Sequence, residues 1–330
     1  MSPKSDGNMT VLVGGLTDIH GIRVGHASDY EALTGCTVIL CEGGAVGGLD
    51  VRGGAASTRG VDAFRPGHVV ERVHAVVLAG GSAFGLEAVS GVTNYLERRG
   101  VGFPTGTARV PIVGGAILYD LAVGSPKARP TVEMGRAAAE AARIRPMEEG
   151  CVGAGTGATV GKLFGVVQAM KGGVGSAAVE IYGGARVAAL AVVNAFGDVV
   201  DVATGRPLAG ARTGPESAEL ADTAACMKRG IVRRQFGAEA NTTLVVVATN
   251  ARLDKVQASA LASMAQAGCA RAVSPVHTMF DGDLVFALSL GEVDADLNTL
   301  GVAAAEVTAE AIVRGVKTAR TLGGVPGLAS

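Results

Sequence analysis

The residues that decide the fold read Asn-Thr-Thr-Leu-Val-Val-Val-Ala-Thr-Asn and occupy positions 241–250. Five consecutive apolar residues, 244–248, are mostly β-branched and are closed by Thr and Asn. Such a run is typical of a strand buried on both faces. The preceding residues, 237–241, have the composition of an exposed loop. The sequence therefore predicts a rigid strand that begins at Thr242, where a loop ends.

Thr242 is a candidate nucleophile because of this position. A Thr hydroxyl is a poor nucleophile at its free pKa and needs a base beside it. One known base is the α-amino group of the same Thr, with an unperturbed pKa near ~8, which cleavage of the chain sets free. The pattern suggests self-cleavage between Asn241 and Thr242. The alternative is an ordinary strand that opens with Thr because of its β-propensity.

The composition limits the class of protein. A chain of 330 residues with short apolar segments between Gly-rich turns favours one compact unit. The 29 Lys and Arg residues balance 30 Asp and Glu residues, which argues against nucleic acid or an anionic membrane as partner. Gly accounts for 50 residues and Trp for none, so the core is expected to consist mainly of Val, Ala, Leu and Ile.

Cysteine use and the first residues predict a cytoplasmic location. The five cysteines are odd in number, dispersed and without a CxxC pair, as expected for reduced thiols. Residues 1–8 lack the basic and then apolar pattern of a signal peptide. No apolar run has the length needed to span a bilayer.

Gly-rich segments border several predicted elements. Residues 74–79 predict a strand that passes through Gly80 and Gly81 to Ser82 and a helix reaching about Arg98. Neither GxGxxG nor GxSxG is present, so Ser82 is interpreted as a helix N-cap, with a nucleophile as the alternative. Residues 43–60 predict a cavity-lining loop or a plain connector.

Two polar residues follow small-residue segments. Lys162 ends the Gly-rich run 150–162, which departs from the phosphate-loop pattern at Thr156 and Leu163, so ATP binding is rejected. A lysine among small residues can approach a cleft and hold a neighbouring amine neutral, or it can be solvated. Asn194 ends the predicted strand 187–193, where its amide could donate to an oxyanion or belong to a turn.

Two carboxylates stand around one glycine before the predicted strand 284–288. Asp281 and Asp283 can point into one site, where mutual repulsion would raise at least one pKa. The alternatives are a simple Asp-Gly turn and a metal site formed with His277. Predicted helices at 130–145, 255–271 and 296–320 complete the pattern.

Four motifs, in this order along the chain, resemble the self-processing P1 peptidases of family S58. They are residues 17–26 (TDIHGIRVGH), 79–86 (AGGSAFGL), 241–243 (NTT) and 277–283 (HTMFDGD). The family includes L-aminopeptidase/D-amidase-esterases, β-aminopeptidases and nylon-oligomer hydrolases, and the Asp-Gly-Asp form is most similar to the nylon-oligomer branch.

The resemblance implies a fold and an assembly. The fold would be an α/β/β/α four-layer sandwich similar to that of N-terminal-nucleophile hydrolases. Its single compact domain would be cut into a large subunit, residues 1–241, and a small subunit, residues 242–330. A homotetramer of such cleaved heterodimers is expected, with a small amide or short peptide as substrate and no cofactor or metal.

The resemblance also assigns residues. Thr242 matches the nucleophile, and Asp281 and Asp283 match the pair that orients it. Lys162 and Asn194 match the residues beside the nucleophile and at the oxyanion. The substrate pocket is expected to include three further residues, namely Ser82, His277 and Phe84. Phe84 falls where members often carry a Tyr, so Asn194 and backbone N–H groups would have to bind the oxyanion.

The predicted function is therefore that of an autoprocessed amide hydrolase with an N-terminal Thr nucleophile. Its substrates would be small peptides, amino-acid amides or linear ω-amino-acid oligomers. One alternative is an acyltransferase of the ornithine acetyltransferase type, which also matures at an internal Thr. Another is an uncut metabolite-binding protein that uses its Gly-rich loops.

Overall fold

A computed structural model of the chain describes residues 10–12, 14–144, 146–231 and 241–330. The strands are β1 Thr10–Leu12, β2 Arg23–Asp29, β3 Thr34–Val51, β4 Thr58–Arg59, β5 Arg72–Ala79, β6 Phe103–Pro104, β7 Arg109–Val110, β8 Val113–Ile117, β9 Thr159–Val160, β10 Met170–Lys171, β11 Val174–Glu180, β12 Arg186–Asn194, β13 Asp198–Val200, β14 Pro207–Ala209, β15 Thr242–Ala251, β16 Val273–Ser274 and β17 Leu284–Val293. The helices are α1 Ala88–Arg98, α2 Val132–Ala141, α3 Thr223–Lys228, α4 Lys255–Ala272 and α5 Leu297–Lys317.

The strand that begins at Thr242, β15, lies in the middle of the main sheet. The sheet order is β1-β11-β12-β15-β17-β3-β5-β8-β4, and β2 pairs with β3 beside it. β15 runs antiparallel to β12 and parallel to β17. All ten of its residues are buried, as predicted for a strand without a solvent face.

The side chains of β15 alternate between two cores. Val245 and Val247 pack in a core that apolar residues of α4 and α5 complete. Leu244, Val246 and Ala248 pack in a second core, which also receives side chains of β2, β3, β5 and β8. The sheet therefore folds over so that its two halves face each other across the second core.

A third core completes the layers. It lies between α1 and α2 on one side and β3, β5 and β8 on the other. The order is thus helices, half sheet, half sheet, helices, which confirms the predicted α/β/β/α sandwich. α4 begins after Asp254, which forms a capping box with Gln257, and Asp296 caps α5.

The predicted loop at 43–60 is wrong for its first half, because β3 continues to Val51. A Cβ on Gly48 would lie 2.2 Å from the Ala258 carbonyl carbon of α4, and one on Gly47 would lie 2.7 Å from the Phe64 ring. These glycines allow close packing of a strand, whereas the sequence alone suggested an irregular loop.

Two further predictions have clear outcomes. Ser82 is not an N-cap, because Gly81 precedes a 3-10 helix at Ser82–Glu87 and α1 begins only at Ala88. The five cysteines are buried, and each is a free thiol in the structure. Within the described part of the chain, no helix is both long and apolar enough to cross a membrane.

Candidate active site

Thr242 lies between two neighbouring strands at the start of β15. On one side its register partner is Asn194, the last residue of β12. On the other side, Asn241 forms a bridge with Asp281, just before β17. The side chain of Thr242 is buried, with 2 % of its surface exposed. The sheet therefore brings together Thr242, Asn194 and the Asp281 segment, which are far apart in sequence.

The Asn241 carbonyl oxygen accepts two hydrogen bonds. The Thr242 hydroxyl donates to it at 2.5 Å and the Gly282 N–H at 2.7 Å. Asn241 is fully buried, so the prediction of an exposed loop is wrong at this residue, because its backbone pairs with Phe280 and Gly282. Residues 237–240 of that predicted loop lie outside the described residues.

Asp281 and Asp283 bind backbone N–H groups of Thr243, in β15, and of Phe196, which follows β12. Asp283 Oδ1 accepts the Thr243 N–H at 2.6 Å, and Asp281 Oδ1 accepts the Phe196 N–H at 3.1 Å. The other oxygens face the preceding turn: Asp281 Oδ2 accepts the Thr278 hydroxyl at 2.5 Å, and Asp283 Oδ2 lies 2.9 Å from Nδ1 of His277.

Burial and mutual repulsion act on this acidic pair as predicted. Desolvation, followed by the negative charge of Asp283, raises the pKa of Asp281 to about 6. Both carboxyls are 1 % exposed. Among the described residues, no group of three or more His, Cys, Asp or Glu side chains is placed to hold a metal ion, so the metal alternative with His277 lacks the required geometry.

Lys162 and Asn194 contact each other beside Thr242. The buried Lys162 Nζ donates to the Asn194 backbone carbonyl at 2.9 Å and to its Oδ1 at 2.8 Å. Oδ1 also accepts the Thr159 N–H at 3.0 Å, while Nδ2 donates to the Tyr119 carbonyl at 3.2 Å. These contacts fix the orientation of the amide. Besides the N–H that it donates to Tyr119, Nδ2 carries a second N–H.

Ser82 and Phe84 lie in the 3-10 helix Ser82–Glu87, which is linked to this site by the segment 118–119. The Ser82 N–H donates to the Leu118 carbonyl at 3.0 Å, and the next residue, Tyr119, holds the Asn194 amide. Phe84 itself is 57 % exposed, with the Arg129 guanidinium 3.7 Å from its ring centre. Its place in a substrate pocket stays a prediction.

Three residues near the site were missed by the sequence analysis. Tyr119 supplies the carbonyl that holds Asn194, and Asp120 and Lys171 are buried close to it. Burial lowers the pKa of Lys171 to about 8 and raises that of Asp120. No motif marks these residues; the polar Tyr-Asp pair that follows the apolar residues Ile117 and Leu118 was the available signal.

Comparison with known proteins gives the class of this fold and site. The family model for peptidase family S58 matches residues 15–329. An uncharacterized aminopeptidase of Mycobacterium tuberculosis is 40% identical over 342 residues, covering 94% of this chain and 96% of the relative. The 6-aminohexanoate-oligomer endohydrolase of Kocuria sp. is 32% identical over 316 residues, covering 91% and 85% of the two chains.

Solved structures share the fold. A Burkholderia sp. beta-aminopeptidase aligns with a TM-score of 0.70 at 22% identity, covering 98% of this chain and 93% of the other. The L-aminopeptidase D-Ala-esterase/amidase of Ochrobactrum anthropi, described as a variant of the Ntn hydrolase fold, aligns with a TM-score of 0.72 at 20% identity, covering 98% and 91%.

These matches define the protein as an amide hydrolase with a layered fold of the Ntn hydrolase type. The chain belongs to peptidase family S58.

Proposed function

We propose that this protein cleaves its own chain between Asn241 and Thr242, and that the freed Thr242 hydrolyses amide bonds in small substrates. The observation that carries the proposal is the contact at the Asn241 carbonyl oxygen. The Thr242 hydroxyl lies 2.5 Å from this oxygen, and the Gly282 N–H donates to it from the segment just before β17. A nucleophile and an oxyanion donor therefore stand at one peptide bond.

Self-cleavage follows from this arrangement. The Thr242 oxygen attacks the Asn241 carbonyl carbon, and the Gly282 N–H stabilises the negative charge that develops on the oxygen. The C–N bond breaks as the Thr242 nitrogen takes up the proton that the hydroxyl loses, leaving an ester between the two residues. Water then hydrolyses the ester, which gives a carboxylate at Asn241 and a free amine at Thr242.

The mature reaction uses the new amine as the base. The amine accepts the proton of the Thr242 hydroxyl while the oxygen attacks the substrate carbonyl. The leaving amine receives that proton, and an acyl-enzyme remains. Water, activated by the same amine, releases the acid product and restores the hydroxyl.

Nearby charged groups favour the neutral Thr242 amine in the resting enzyme and its ammonium form during the reaction. The buried Lys162 Nζ donates to Asn194, the register partner of Thr242, and a cation at that place would lower the pKa of a nearby amine. Asp281 and Asp283 favour the ammonium form that develops when the amine accepts the proton. His277 Nδ1 lies within hydrogen-bond distance of Asp283 and orients it. The second N–H of the Asn194 amide is assigned to the oxyanion, where it takes the place of the hydroxyl that Phe84 lacks.

The substrates are proposed to be small peptides with a free amino terminus, amino-acid amides or linear ω-amino-acid oligomers. Support comes from two relatives, one named an aminopeptidase and one named a 6-aminohexanoate-oligomer endohydrolase. A cytoplasmic location and a homotetramer of cleaved heterodimers are part of the same proposal. Sedimentation of the mature protein tests the oligomer.

The test is the intact mass of the purified protein and of its Thr242→Ala variant. Wild type is expected to yield fragments of residues 1–241 and 242–330, because the hydroxyl cuts the bond before it. Thr242→Ala is expected to remain one chain and to lose amide hydrolysis by at least about 10³-fold. An uncut but active wild type contradicts the proposal.

A matched control is Thr308→Val in α5. Thr308 is also a buried threonine, and its hydroxyl has no hydrogen-bond partner within the described residues. The variant should be cut and active like wild type, so a defect in Thr242→Ala cannot be assigned to loss of any buried hydroxyl.

Adding ornithine to the acyl-enzyme separates hydrolysis from acyl transfer: hydrolysis leaves ornithine unmodified.

A further inference from the structure

The buried side chain of Lys171 binds backbone carbonyl groups of the turn 156–158. Lys171 Nζ donates to the Thr156 carbonyl at 2.8 Å and to the Ala158 carbonyl at 2.7 Å. Lys171 lies in β10, where its register partner is Thr159 of β9. The side chain is 1 % exposed, so its charge is enclosed by protein. The lysine thus fixes the residues directly before Thr159.

Asp120 contacts the same turn at Gly157. A Cβ on Gly157 would lie 2.6 Å from Asp120 Cβ and 2.7 Å from Asp120 Oδ2, so the turn and the aspartate are in direct contact. Asp120 Oδ1 accepts the Gly81 N–H and Oδ2 accepts the Thr34 hydroxyl, both at 2.7 Å. The opposite charges of Asp120 and Lys171 favour each other's ionised form.

The residues next to this pair hold the two ends of one amide. Thr159, which follows the turn, donates its N–H to Asn194 Oδ1 at 3.0 Å. Tyr119, which precedes Asp120, accepts Asn194 Nδ2 at 3.2 Å. Each end of the Asn194 amide is therefore held by a residue adjacent to a segment that Asp120 or Lys171 anchors.

We infer that Asp120 and Lys171 are positioning residues that together hold the turn 156–158 in place and thereby aim the Asn194 amide at the reacting carbonyl. The inference rests on the oxyanion role proposed for Asn194. Neither side chain contacts Thr242, so they act through Thr159 and Tyr119. Small displacements of an oxyanion donor lower the rate of the chemical step more than they weaken substrate binding.

The chain offers a matched control for Lys171. Lys255, the first residue of α4, is also a buried lysine whose Nζ donates to two backbone carbonyls, those of Ala63 and Val70. Lys171→Met and Lys255→Met each remove one buried charge and leave two carbonyls without their donor. Comparable losses in Tm are expected for both variants.

Kinetics on an amino-acid amide then separate positioning from folding. Lys171→Met is expected to lower kcat of the cut enzyme by at least about tenfold with KM changed less than about twofold. Lys255→Met is expected to keep the wild-type kcat. Equal kcat values in the two variants overturn the inference.

Crystal structures of the two variants give a readout that does not depend on activity. In Lys171→Met the Asn194 Nδ2 is expected to move beyond hydrogen-bond distance of the Tyr119 carbonyl; in Lys255→Met it should stay. An unmoved amide in Lys171→Met overturns the inference, whichever residue proves to be the nucleophile. If Lys171→Met does not fold, Asp120→Asn serves instead, because it keeps an oxygen for the Gly81 N–H while removing the charge.

Discussion

The Asp281 carboxyl carries a charge at neutral pH in a place that water barely reaches. It is 1 % exposed and lies beside a second buried carboxylate, Asp283. Hydrogen bonds from Thr278 and Phe196 offset only part of this cost, so the pKa rises to about 6. The folded protein therefore takes up this proton at a higher pH than the unfolded chain does.

This shift gives a pH prediction with a defined sign. Between the unfolded pKa of 3.8 and the folded value of about 6, the native state binds more protons at Asp281. Stability from this group therefore rises as pH falls through 6, by about 1 kcal/mol between pH 7.5 and pH 5. Urea unfolding of uncut Thr242→Ala protein, with and without Asp281→Asn, measures the difference.

The opposite sign would contradict the assignment. If Asp281→Asn left the change in unfolding free energy between the two pH values unaltered, the raised pKa would belong to another group.

Ionised Asp281 is also the form that favours the developing ammonium, so kcat of the mature enzyme is expected to decrease below about pH 6.

At the scale of single elements, glycines set how closely a strand and a helix approach. In β3, Gly48 faces α4, whereas a Cβ on Gly43 would meet no other part of the chain within 4 Å. Gly48→Ala is expected to destabilise the protein by at least about 2 kcal/mol, because the methyl group would overlap the Ala258 carbonyl. Gly43→Ala is expected to change stability by less than about 0.5 kcal/mol.

Urea unfolding of both variants in the Thr242→Ala background checks this prediction, since an uncut chain does not separate into two fragments when it unfolds. Equal stability of Gly48→Ala and Gly43→Ala would mean that α4 shifts at no cost.

Individual elements were predictable where their own pattern dominates. The apolar run of β15, the strand ending at Asn194 and the helix that became α4 follow from burial and periodicity in their residues. The second half of β3 was predicted as part of the loop 43–60, because glycine normally indicates a turn, and only the neighbouring helix shows why Gly48 is needed. Asp120 and Lys171 were not predicted as site residues, because the backbone groups and the Thr34 hydroxyl that they bind come close to them only on folding.

At the scale of the whole molecule, residues 242–330 supply the centre of the sheet and one helix layer. β15 pairs with β12, and β17 pairs with β3, so both inner strands have outer neighbours from residues 1–241. The layering itself was inferred from family resemblance. In strands buried on both faces, apolar and polar residues do not alternate, so the sequence does not show which residues face which core.

The two fragments are therefore expected to remain together after cleavage. Separation would expose the apolar faces of β15 and β17, which belong to the cores shared with residues 1–241. Native mass spectrometry should give a mass containing both fragments, and denaturant should be needed to separate them. Uncut Thr242→Ala provides the reference, and free fragments in native buffer would contradict the expectation.

The position of Thr242 in an inner strand affects the order of events in biogenesis. A polypeptide translated with Thr242 as its first residue would have to carry an ammonium ion into a water-poor interior while the sheet assembled, at a cost in desolvation. A peptide link at that point is neutral and takes its place in the sheet like any other. In the proposed self-cleavage, the ion forms only after Asp281 and Asp283 already bind the neighbouring Phe196 and Thr243 N–H groups.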